Sequence, residues 1–391
     1  MRILLTGGGT GGHINPAVAI ANTIRKNHPE AEIAFVGTKR GKEKELVPGE
    51  GYPLYFVDVQ GIKRSLSLSN IKSLYLAAVS PMRAKKLLRQ YCPDVVIGTG
   101  GYACWPVMKA ATEMGIPTAV HESNALPGLA IRKLQNHVDR IFINFPQTAQ
   151  KLTVKDRSKI MHVGNPLRDG FGGLDYALTR KKLGFDAYRY VVLSYGGSLG
   201  AQRVNEAVLE LMKTYGAAHP DVLIVHATGT VNYEEVRAQF EAMGLDKLPN
   251  IRLSAYIYDM PAQMTAADLV ICRAGAMTVS ELALMEKPCV MIPSPNVADN
   301  HQYKNAKALA DAGAAVLMEE SELSEPGRLV RTVEELLDDA DRRAQMGHNI
   351  AAFARLDANK LIYDELMRMI GTKGEQKELP PVPKPDVPAK R

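Results

Sequence analysis

A run of glycines near the start of the chain limits the folds open to it. Five glycines stand within residues 7–12, directly after the apolar stretch Ile3–Leu5 and before the helix-length stretch 16–26. A glycine-rich turn between a strand and a helix brings the backbone close to a ligand and directs unpaired N–H groups at it. His13 closes the turn and is its one titratable side chain. The sequence therefore predicts a turn that takes part in chemistry as well as in binding.

Short apolar runs alternate with helix-length stretches along the chain, which predicts parallel sheets covered by helices on both faces. The predicted strands are 2–5, 32–36, 54–57, 94–97, 118–121 and 140–143, then 190–195, 222–226, 251–254, 269–272 and 289–292. The second series opens like the first, with a strand, a glycine loop (196–201) and a helix. We predict an α/β fold of two Rossmann-like, doubly wound domains that face a cleft.

Turn-forming residues cluster at 164–173 and predict the linker between the two domains. The predicted domains are residues 1–165 and 166–349. A helix at about 350–370 carries an apolar stripe that can pack back on the first domain. Residues 371–391 are rich in proline and are predicted to be disordered.

The positive charge of the chain is concentrated in its first half. Residues 1–165 hold 22 Lys and Arg against 11 Asp and Glu, and the stretch 61–93 holds seven basic residues and no acid. Apolar residues interleave with these charges, as in segments that lie on anionic lipid, although a solvated helix packed on the core has the same pattern. Nucleic acid is disfavoured because aromatic residues are sparse there.

The compartment follows from what the sequence does not contain. Four dispersed cysteines without a CxxC pair suggest neither a disulfide framework nor a zinc site. We find no signal peptide and no apolar stretch long enough to span a membrane. The sequence predicts a protein of the cytosol or of a surface that faces it.

The first glycine loop fits the dinucleotide pattern G-x-G-x-x-G through Gly7, Gly9 and Gly12. That pattern requires an acid at the end of the second strand to hold the ribose, but Lys39 and Arg40 follow that strand here. A phosphate-binding P-loop needs a Lys-Ser/Thr pair after the glycines, which is absent. Neither nucleotide site is favoured at this loop.

The second half offers a better nucleotide site after the strand 269–272. The stretch 273–282 places a glycine turn before a helix of small residues, and a helix N-terminus favours a phosphate. Glu281 offers two acceptor oxygens, which suit the paired hydroxyls of a ribose. An exposed helical acid would look the same in the sequence.

Six motifs stand in order along the chain and together resemble the MurG family of bacterial glycosyltransferases. They are 7–13 (GGGTGGH), 98–102 (GTGGY), 121–124 (HESN), 163–168 (VGNPLR), 196–201 (GGSLGA) and 272–281 (CRAGAMTVSE). The resemblance covers about residues 1–370. It implies the GT-B glycosyltransferase fold and the transfer of N-acetylglucosamine, with inversion, from UDP-N-acetylglucosamine to the undecaprenyl-linked muramyl pentapeptide (lipid I), which gives lipid II.

The resemblance also implies which residues bind and react. The donor sugar nucleotide would contact Thr10, Gly11, Gly12, Asn124, Arg168, Ser198, Ile257, Ala276, Met277, Thr278, Val279, Ser280, Glu281 and Gln302. The lipid-linked acceptor would contact Gly100, Gly101, Tyr102 and His121. His13 is the candidate general base; His121 and Glu122 are the rival pair, in which Glu122 is either a base or a support for His121. No metal ion and no cofactor are implied.

The predicted function is therefore that of a hexosyltransferase of peptidoglycan synthesis, bound peripherally to the cytoplasmic face of the cell membrane. Its predicted partners are UDP-N-acetylglucosamine, lipid I, the anionic membrane surface, and proteins of cell-wall synthesis and division. Two alternatives stay open: a UDP-N-acetylglucosamine 2-epimerase of the same fold, and a non-catalytic scaffold that binds a UDP-sugar.

Overall fold

The computed structural model describes residues 1–58, 69–197, 200–297, 300–371 and 380–390, with residues 69–79 described by their backbone alone. The chain forms two compact units, one made of Met1–Asp169 with Arg355–Arg391 and the other of Gly170–Ala354. The boundaries predicted from the sequence, after residues 165 and 349, lie four and five residues before the observed ones, which follow Asp169 and Ala354.

The first unit contains a parallel sheet in the order β3-β2-β1-β4-β5-β6-β7 within the described residues. Its strands are β1 (Arg2–Gly7), β2 (Glu32–Gly37), β3 (Leu54–Phe56), β4 (Val95–Gly100), β5 (Thr118–Glu122), β6 (Arg140–Ile143) and β7 (Ile160–His162). The central strands are buried along their whole length, because helices cover both faces of a parallel sheet. This explains their uninterrupted apolar runs.

Helices connect these strands and supply the two layers that flank the sheet. They are α1 (Gly11–Asn27), α2 (Glu43–Gly49), α3 (Ser69–Tyr91), α4 (Cys104–Glu113), α5 (Leu129–Leu134) and α6 (Thr148–Lys151). One core layer packs α1 on the sheet through Ile14, Val18 and Ile24. The other packs α3 and α4 on the opposite face through Leu88, Val107 and Met108.

The second unit repeats this plan with the strand order β10-β9-β8-β11-β12-β13 in its described part. Its strands are β8 (Tyr190–Tyr195), β9 (Val222–Ala227), β10 (Ile251–Ser254), β11 (Leu269–Cys272), β12 (Cys289–Met291) and β13 (Val316–Leu317). Its helices are α7 (Tyr176–Leu183), α8 (Gln202–Leu211), α9 (Tyr233–Ala242), α10 (Met260–Ala266), α11 (Ala276–Leu284), α12 (His301–Asp311), α13 (Arg328–Asp338) and α14 (Ala340–Ala351). The prediction of two parallel α/β domains is confirmed. The sequence reading missed β7 and β13, which are edge strands too short to stand out as apolar runs.

The chain returns to the first unit at its end. Helix α15 (Ala358–Gly371) buries Ile362, Leu366 and Met369 in the same core layer as α1. The Arg140 guanidinium forms an ion pair with Glu365 on this helix. An apolar stripe and a part-buried ion pair therefore fix α15 on the first sheet.

Residues 380–390, predicted to be disordered, instead form an extended strap along β3. Val387 and Leu54 exchange backbone hydrogen bonds of 2.9 and 3.0 Å, and Lys390 N donates to Pro48 O at 3.0 Å. The Tyr55 hydroxyl donates to Pro383 O at 2.6 Å. Composition suggested disorder because the strap buries little apolar area, but its prolines favour an extended backbone whose carbonyls accept from the sheet edge.

Deleting residues 380–391 should lower the free energy of unfolding of the chain by about 1–3 kcal/mol. The hydrogen bonds along β3 each contribute about 0.5–1.5 kcal/mol, and the entropy cost of ordering the strap offsets part of the sum. Urea denaturation followed by circular dichroism measures the change. Lys384→Ala, at an exposed position of the strap, is the matched control and should leave the midpoint unchanged. Equal stability of the truncated and complete chains would contradict the role given to the strap.

Candidate functional site

The first glycine loop lies at the point of the first sheet where the strand order reverses. Strand β1 pairs with β2 on one side and with β4 on the other, so the loops after β1 and β4 lie next to each other. Open α/β sheets bind ligands at such a point, beyond the carboxyl ends of the strands. Helix α1 begins at Gly11 with no side-chain cap from Thr10, which leaves its first amides directed at a ligand.

His13 lies in the first turn of α1 and is fixed to the end of β4. Its Nδ1 lies 3.0 Å from Thr99 O, and the Thr99 hydroxyl donates to His13 O at 2.6 Å. A carbonyl oxygen only accepts, so Nδ1 carries the ring hydrogen and Nε2 is the unprotonated nitrogen of the neutral ring. The reciprocal pair orients the ring and selects its tautomer.

The pKa of His13 lies below the ordinary histidine value, because its surroundings desolvate the charged ring more than the hydrogen bond to Thr99 favours it. The imidazole is therefore neutral at pH 7. A neutral ring with an unprotonated Nε2 can accept a proton, which is the chemistry that a general base requires.

The glycines after β4 let this strand approach the first glycine loop. Gly101 has φ +81°, and a Cβ there would lie 2.1 Å from Gly8 O. A Cβ at Gly100 would lie 2.7 Å from His13 Nδ1. These two predicted acceptor residues therefore have a structural reason to be glycine. Tyr102 follows them with 61% of its surface exposed, so its ring is available to a ligand.

The rival pair at the end of β5 is placed differently. His121 is fully buried, with Nε2 2.9 Å from Gly164 O, and burial lowers its pKa to about 4. The Glu122 carboxylate accepts from the backbone and side-chain nitrogens of Asn124 and from Gly128 N, at 2.7 to 3.1 Å. Burial raises the pKa of Glu122 despite these bonds. Glu122 therefore holds the 123–128 loop through Asn124 and Gly128, whereas His121 is held at Gly164.

Arg168, a predicted donor contact, lies in the first unit. Its Nη1 is 3.4 Å from Glu50 Oε1, and the preceding Leu167 exchanges backbone hydrogen bonds with the side chain of Asn359 on α15. The guanidinium is part-exposed, and its pairing with Glu50 is long for an ion pair.

The second unit carries the other glycine loop at its own point of strand reversal, between β8 and β11. Gly197 and Gly200 have φ near +87°, and a Cβ at Gly200 would lie 2.2 Å from Thr228 O. The predicted diphosphate contact Ser198 lies outside the described residues. The loop ends at Ala201, and α8 follows.

Helix α11 begins beside this loop, after Gly275. Its first turn contains no acid and opens with Ala276 and Met277, so the positive end of the helix dipole is not neutralised by its own side chains. Glu281 is half-buried. Burial raises the pKa of Tyr195 at the end of β8, and the Glu281 carboxylate adds to that shift, which places the carboxylate near the loop after β8. Val279, also predicted to contact the nucleotide, is buried in the core at 1% exposure.

The remaining donor candidates, Gln302 and Ile257, lie beyond the carboxyl ends of strands of the second sheet. Gln302, in the first turn of α12, accepts from Ser294 N through Oε1 at 2.9 Å, which orients its amide group. Ile257 is half-buried between β10 and α10, next to the edge-on pair Tyr256 and Tyr258. All three residues follow the carboxyl ends of strands of the second sheet, Glu281 after β11 and Gln302 after β12, whereas Ile257 follows the edge strand β10, which β9 and β8 separate from β11.

The sequence reading missed Thr99 and Glu43. Thr99 lies inside the motif 98–102, but only the fold shows that it pairs with His13. Glu43 is a fully buried carboxylate that accepts from Gly9 N at 2.9 Å. An available signal was its place at the start of the helix that follows β2, six residues after that strand ends.

Known proteins similar to this chain belong to one glycosyltransferase family. Residues 3–143 match the glycosyltransferase family 28 N-terminal domain, and residues 191–362 match the family's C-terminal domain. A relative from Acetivibrio thermocellus is 41% identical over 93% of this chain and 97% of its own length. It is named UDP-N-acetylglucosamine--N-acetylmuramyl-(pentapeptide) pyrophosphoryl-undecaprenol N-acetylglucosamine transferase.

Solved structures share the fold. The crystal structure of MurG from Acinetobacter baumannii superposes with a TM-score of 0.71 at 26% identity, covering 94% of this chain and 99% of that one. A putative UDP-N-acetylglucosamine 2-epimerase from Listeria monocytogenes superposes with a TM-score of 0.67, covering 95% of this chain and 97% of that one. At 15% identity, the second likeness shows the fold alone.

Proposed function

The chain belongs to glycosyltransferase family 28, and on this premise we propose that it transfers N-acetylglucosamine from UDP-N-acetylglucosamine to lipid I to form lipid II. The observation that carries the proposal is the 41% identity, over nearly the whole of both chains, to a transferase named for this reaction. The chain is thus a hexosyltransferase of peptidoglycan synthesis.

The donor nucleotide occupies the second unit in this proposal. The amides that open α11 face the diphosphate, and Ser198, which lies outside the described residues, is a further predicted contact. Glu281 accepts from the ribose hydroxyls, the backbone of Ile257 meets the uracil, and Gln302 binds the sugar. Departing UDP gains negative charge, so donors at the diphosphate stabilise the transition state more than the ground state.

The acceptor occupies the first unit, at the loops after β1 and β4. His13 Nε2 removes the proton from the acceptor sugar hydroxyl as that oxygen attacks the anomeric carbon in a single inverting displacement. Its neutral state and its fixed tautomer support this role. Tyr102, Gly100 and Gly101 border the acceptor. Glu122 supports Asn124 rather than the reacting atoms, and His121 is bonded inward to Gly164.

The acceptor's polyprenyl chain requires the protein to work at the cytoplasmic membrane surface. Across the described residues, no helix has the length and apolarity that a bilayer crossing needs. Residues 61–68 of the basic stretch lie outside the described residues. On the described part of α3, Lys86 and Arg89 are exposed, and Met82 exposes 63% of its surface. Basic and apolar groups on one helix suit a peripheral contact with anionic lipid.

Charge reversal at these exposed positions should weaken binding to anionic vesicles. We expect Lys86→Glu/Arg89→Glu to lower the fraction bound in vesicle sedimentation about 10-fold or more, since each basic residue near such a surface contributes about 1 kcal/mol. Lys85 is less informative because it pairs with Glu113 at 2.7 Å. The matched control is Lys151→Glu/Lys155→Glu. Both lysines are also exposed, but they precede β7, an edge strand of the first sheet, and lie outside α3. Equal losses of vesicle binding in the two double variants would show that the docking surface is not on α3.

The decisive test is transfer of labelled N-acetylglucosamine to lipid I by the purified chain, with and without EDTA. With and without EDTA, we expect label on the lipid and the release of one UDP for each sugar transferred. An epimerase would convert the donor sugar without lipid I, and a non-catalytic scaffold would bind the donor without releasing UDP. UDP release that ignores lipid I, or no release at all, would therefore overturn the proposal. Contacts with proteins of cell-wall synthesis and division are a further part of the proposal, testable by co-purification from membranes.

A further inference from the structure

A carboxylate lies buried beneath the first glycine loop, and the reaction scheme above does not use it. Glu43, at the start of α2, exposes none of its surface. Its Oε1 accepts from the backbone N and the hydroxyl of Thr38, both at 2.8 Å, and its Oε2 accepts from Gly9 N at 2.9 Å. No ion pair to Glu43 occurs in the part of the chain that the structure describes. A buried charge without a cation is retained only where its hydrogen bonds are well made.

The backbone around Glu43 is shaped to admit this carboxylate. A Cβ at Gly41 would lie 1.9 Å from Oε2, and a Cβ at Gly8 would lie 2.7 Å from Oε1. The side chain thus joins the loop after β1 to the loop after β2, with glycines making room on both sides. It also occupies an amide of the loop that would otherwise face an anion. Glu43 therefore makes the first glycine loop a poor phosphate cradle at Gly9.

The anchored amide, Gly9 N, lies four residues before His13 in the chain. Gly9 precedes Thr10, and Thr10 O accepts from the backbone N of both His13 and Ile14, at 3.1 and 3.2 Å. The position of Gly9 therefore sets where α1 starts and where its first turn carries the His13 ring. Thr99 holds the same ring from β4. The histidine is thus fixed from β4 by Thr99 directly, and from the start of α2 by Glu43 through the backbone.

We propose that Glu43 is a positioning residue for the transfer reaction, which holds the Gly8–Gly9 turn so that His13 Nε2 meets the acceptor hydroxyl. This inference rests on the proposed function, in which His13 is the base. Reaction rates depend steeply on such placement, and a displacement of about 1 Å costs about 100-fold. Glu43 itself touches neither substrate nor reacting atoms.

The test compares Glu43→Gln with Glu45→Gln, the same change at an exposed position of the same helix. The glutamine amide keeps the shape of Glu43 but must turn its NH₂ toward Thr38 or Gly9, so one acceptor becomes a donor facing a donor. We expect kcat for transfer to lipid I to fall about 10- to 100-fold, with an unchanged Kd for UDP and an unchanged far-UV spectrum. Glu45→Gln should match the unmodified chain.

A double variant separates positioning from general destabilisation. If Glu43 acts through His13, then Glu43→Gln combined with His13→Ala should be no slower than His13→Ala alone. Should Glu43→Gln prevent folding, Glu43→Asp retains the charge with a shorter reach and should fold while losing turnover. Normal kcat in the folded Gln or Asp variant, or losses that multiply in the double variant, would overturn this inference alone. No transfer by the unmodified chain would overturn the proposed function and this inference with it.

Discussion

Replacing His13 with alanine should lower kcat for transfer to lipid I about 100- to 10,000-fold and leave the affinity for UDP unchanged. A positioned general base contributes a factor of this size, and the nucleotide is assigned to the other unit. Steady-state kinetics with lipid I, together with calorimetric titration of UDP, separates the two quantities. His137→Ala, at an exposed histidine of the same unit, should retain the activity of the unmodified chain.

The pH dependence of the reaction gives a second measure of the same residue. The pKa of His13 is lowered by burial, so the base stays competent at neutral pH and loses activity only as the pH falls through that value. The acidic limb of kcat should therefore lie below the ordinary histidine pKa of about 6.5. The limb should vanish in His13→Ala. A limb that persists in this variant, or near-normal turnover, would remove His13 as the base.

Replacing Glu281 with alanine should weaken UDP-N-acetylglucosamine binding about 10- to 100-fold, a loss of about 1.4–2.8 kcal/mol. The carboxylate is expected to accept from both ribose hydroxyls, and hydrogen bonds to a charged group are the strong ones. Isothermal titration with UDP measures the effect without the lipid substrate. Glu235→Ala on α9, an exposed acid of the same unit, is the matched control.

A second nucleotide probe tests whether Glu281 binds the ribose hydroxyls in particular. A 2′-deoxy analogue of UDP lacks one of the two hydroxyls, so the unmodified chain should bind it more weakly than UDP. Glu281→Ala should bind both nucleotides equally, because the group that distinguishes them is gone. Unchanged UDP affinity in Glu281→Ala would show that the ribose is held elsewhere.

Local patterns in the sequence were sufficient to predict most of the fold. Buried parallel strands such as β4 and β8 produce continuous apolar runs, and their glycine loops mark the points where the strand order reverses. The strap at 380–390 could not be found this way, since it is held mainly by backbone hydrogen bonds and carries no apolar periodicity. Edge strand β13, two residues long, leaves no pattern at all.

The sequence was sufficient to predict which residues belong to the candidate site, but less so to predict what each of them does. His13 was recognisable as the titratable group of its loop, and its assignment as the base stays a prediction. The sequence could not show that Thr99 selects its tautomer, because that contact joins residues 86 positions apart. His121 and Glu122 look like a catalytic pair in the sequence. Their inward hydrogen bonds depend on Gly164 and Gly128, which only the folded chain brings near.

The return of residues 355–391 to the first unit has a consequence for how the protein is made. A ribosome delivers β1 and α1 first, and domains commonly fold in that order as they emerge. Here the core layer around α1 lacks α15 until the whole second unit has been translated. The second unit can complete its own core earlier, so the half of the enzyme that is synthesised first is expected to be the last to reach its final stability.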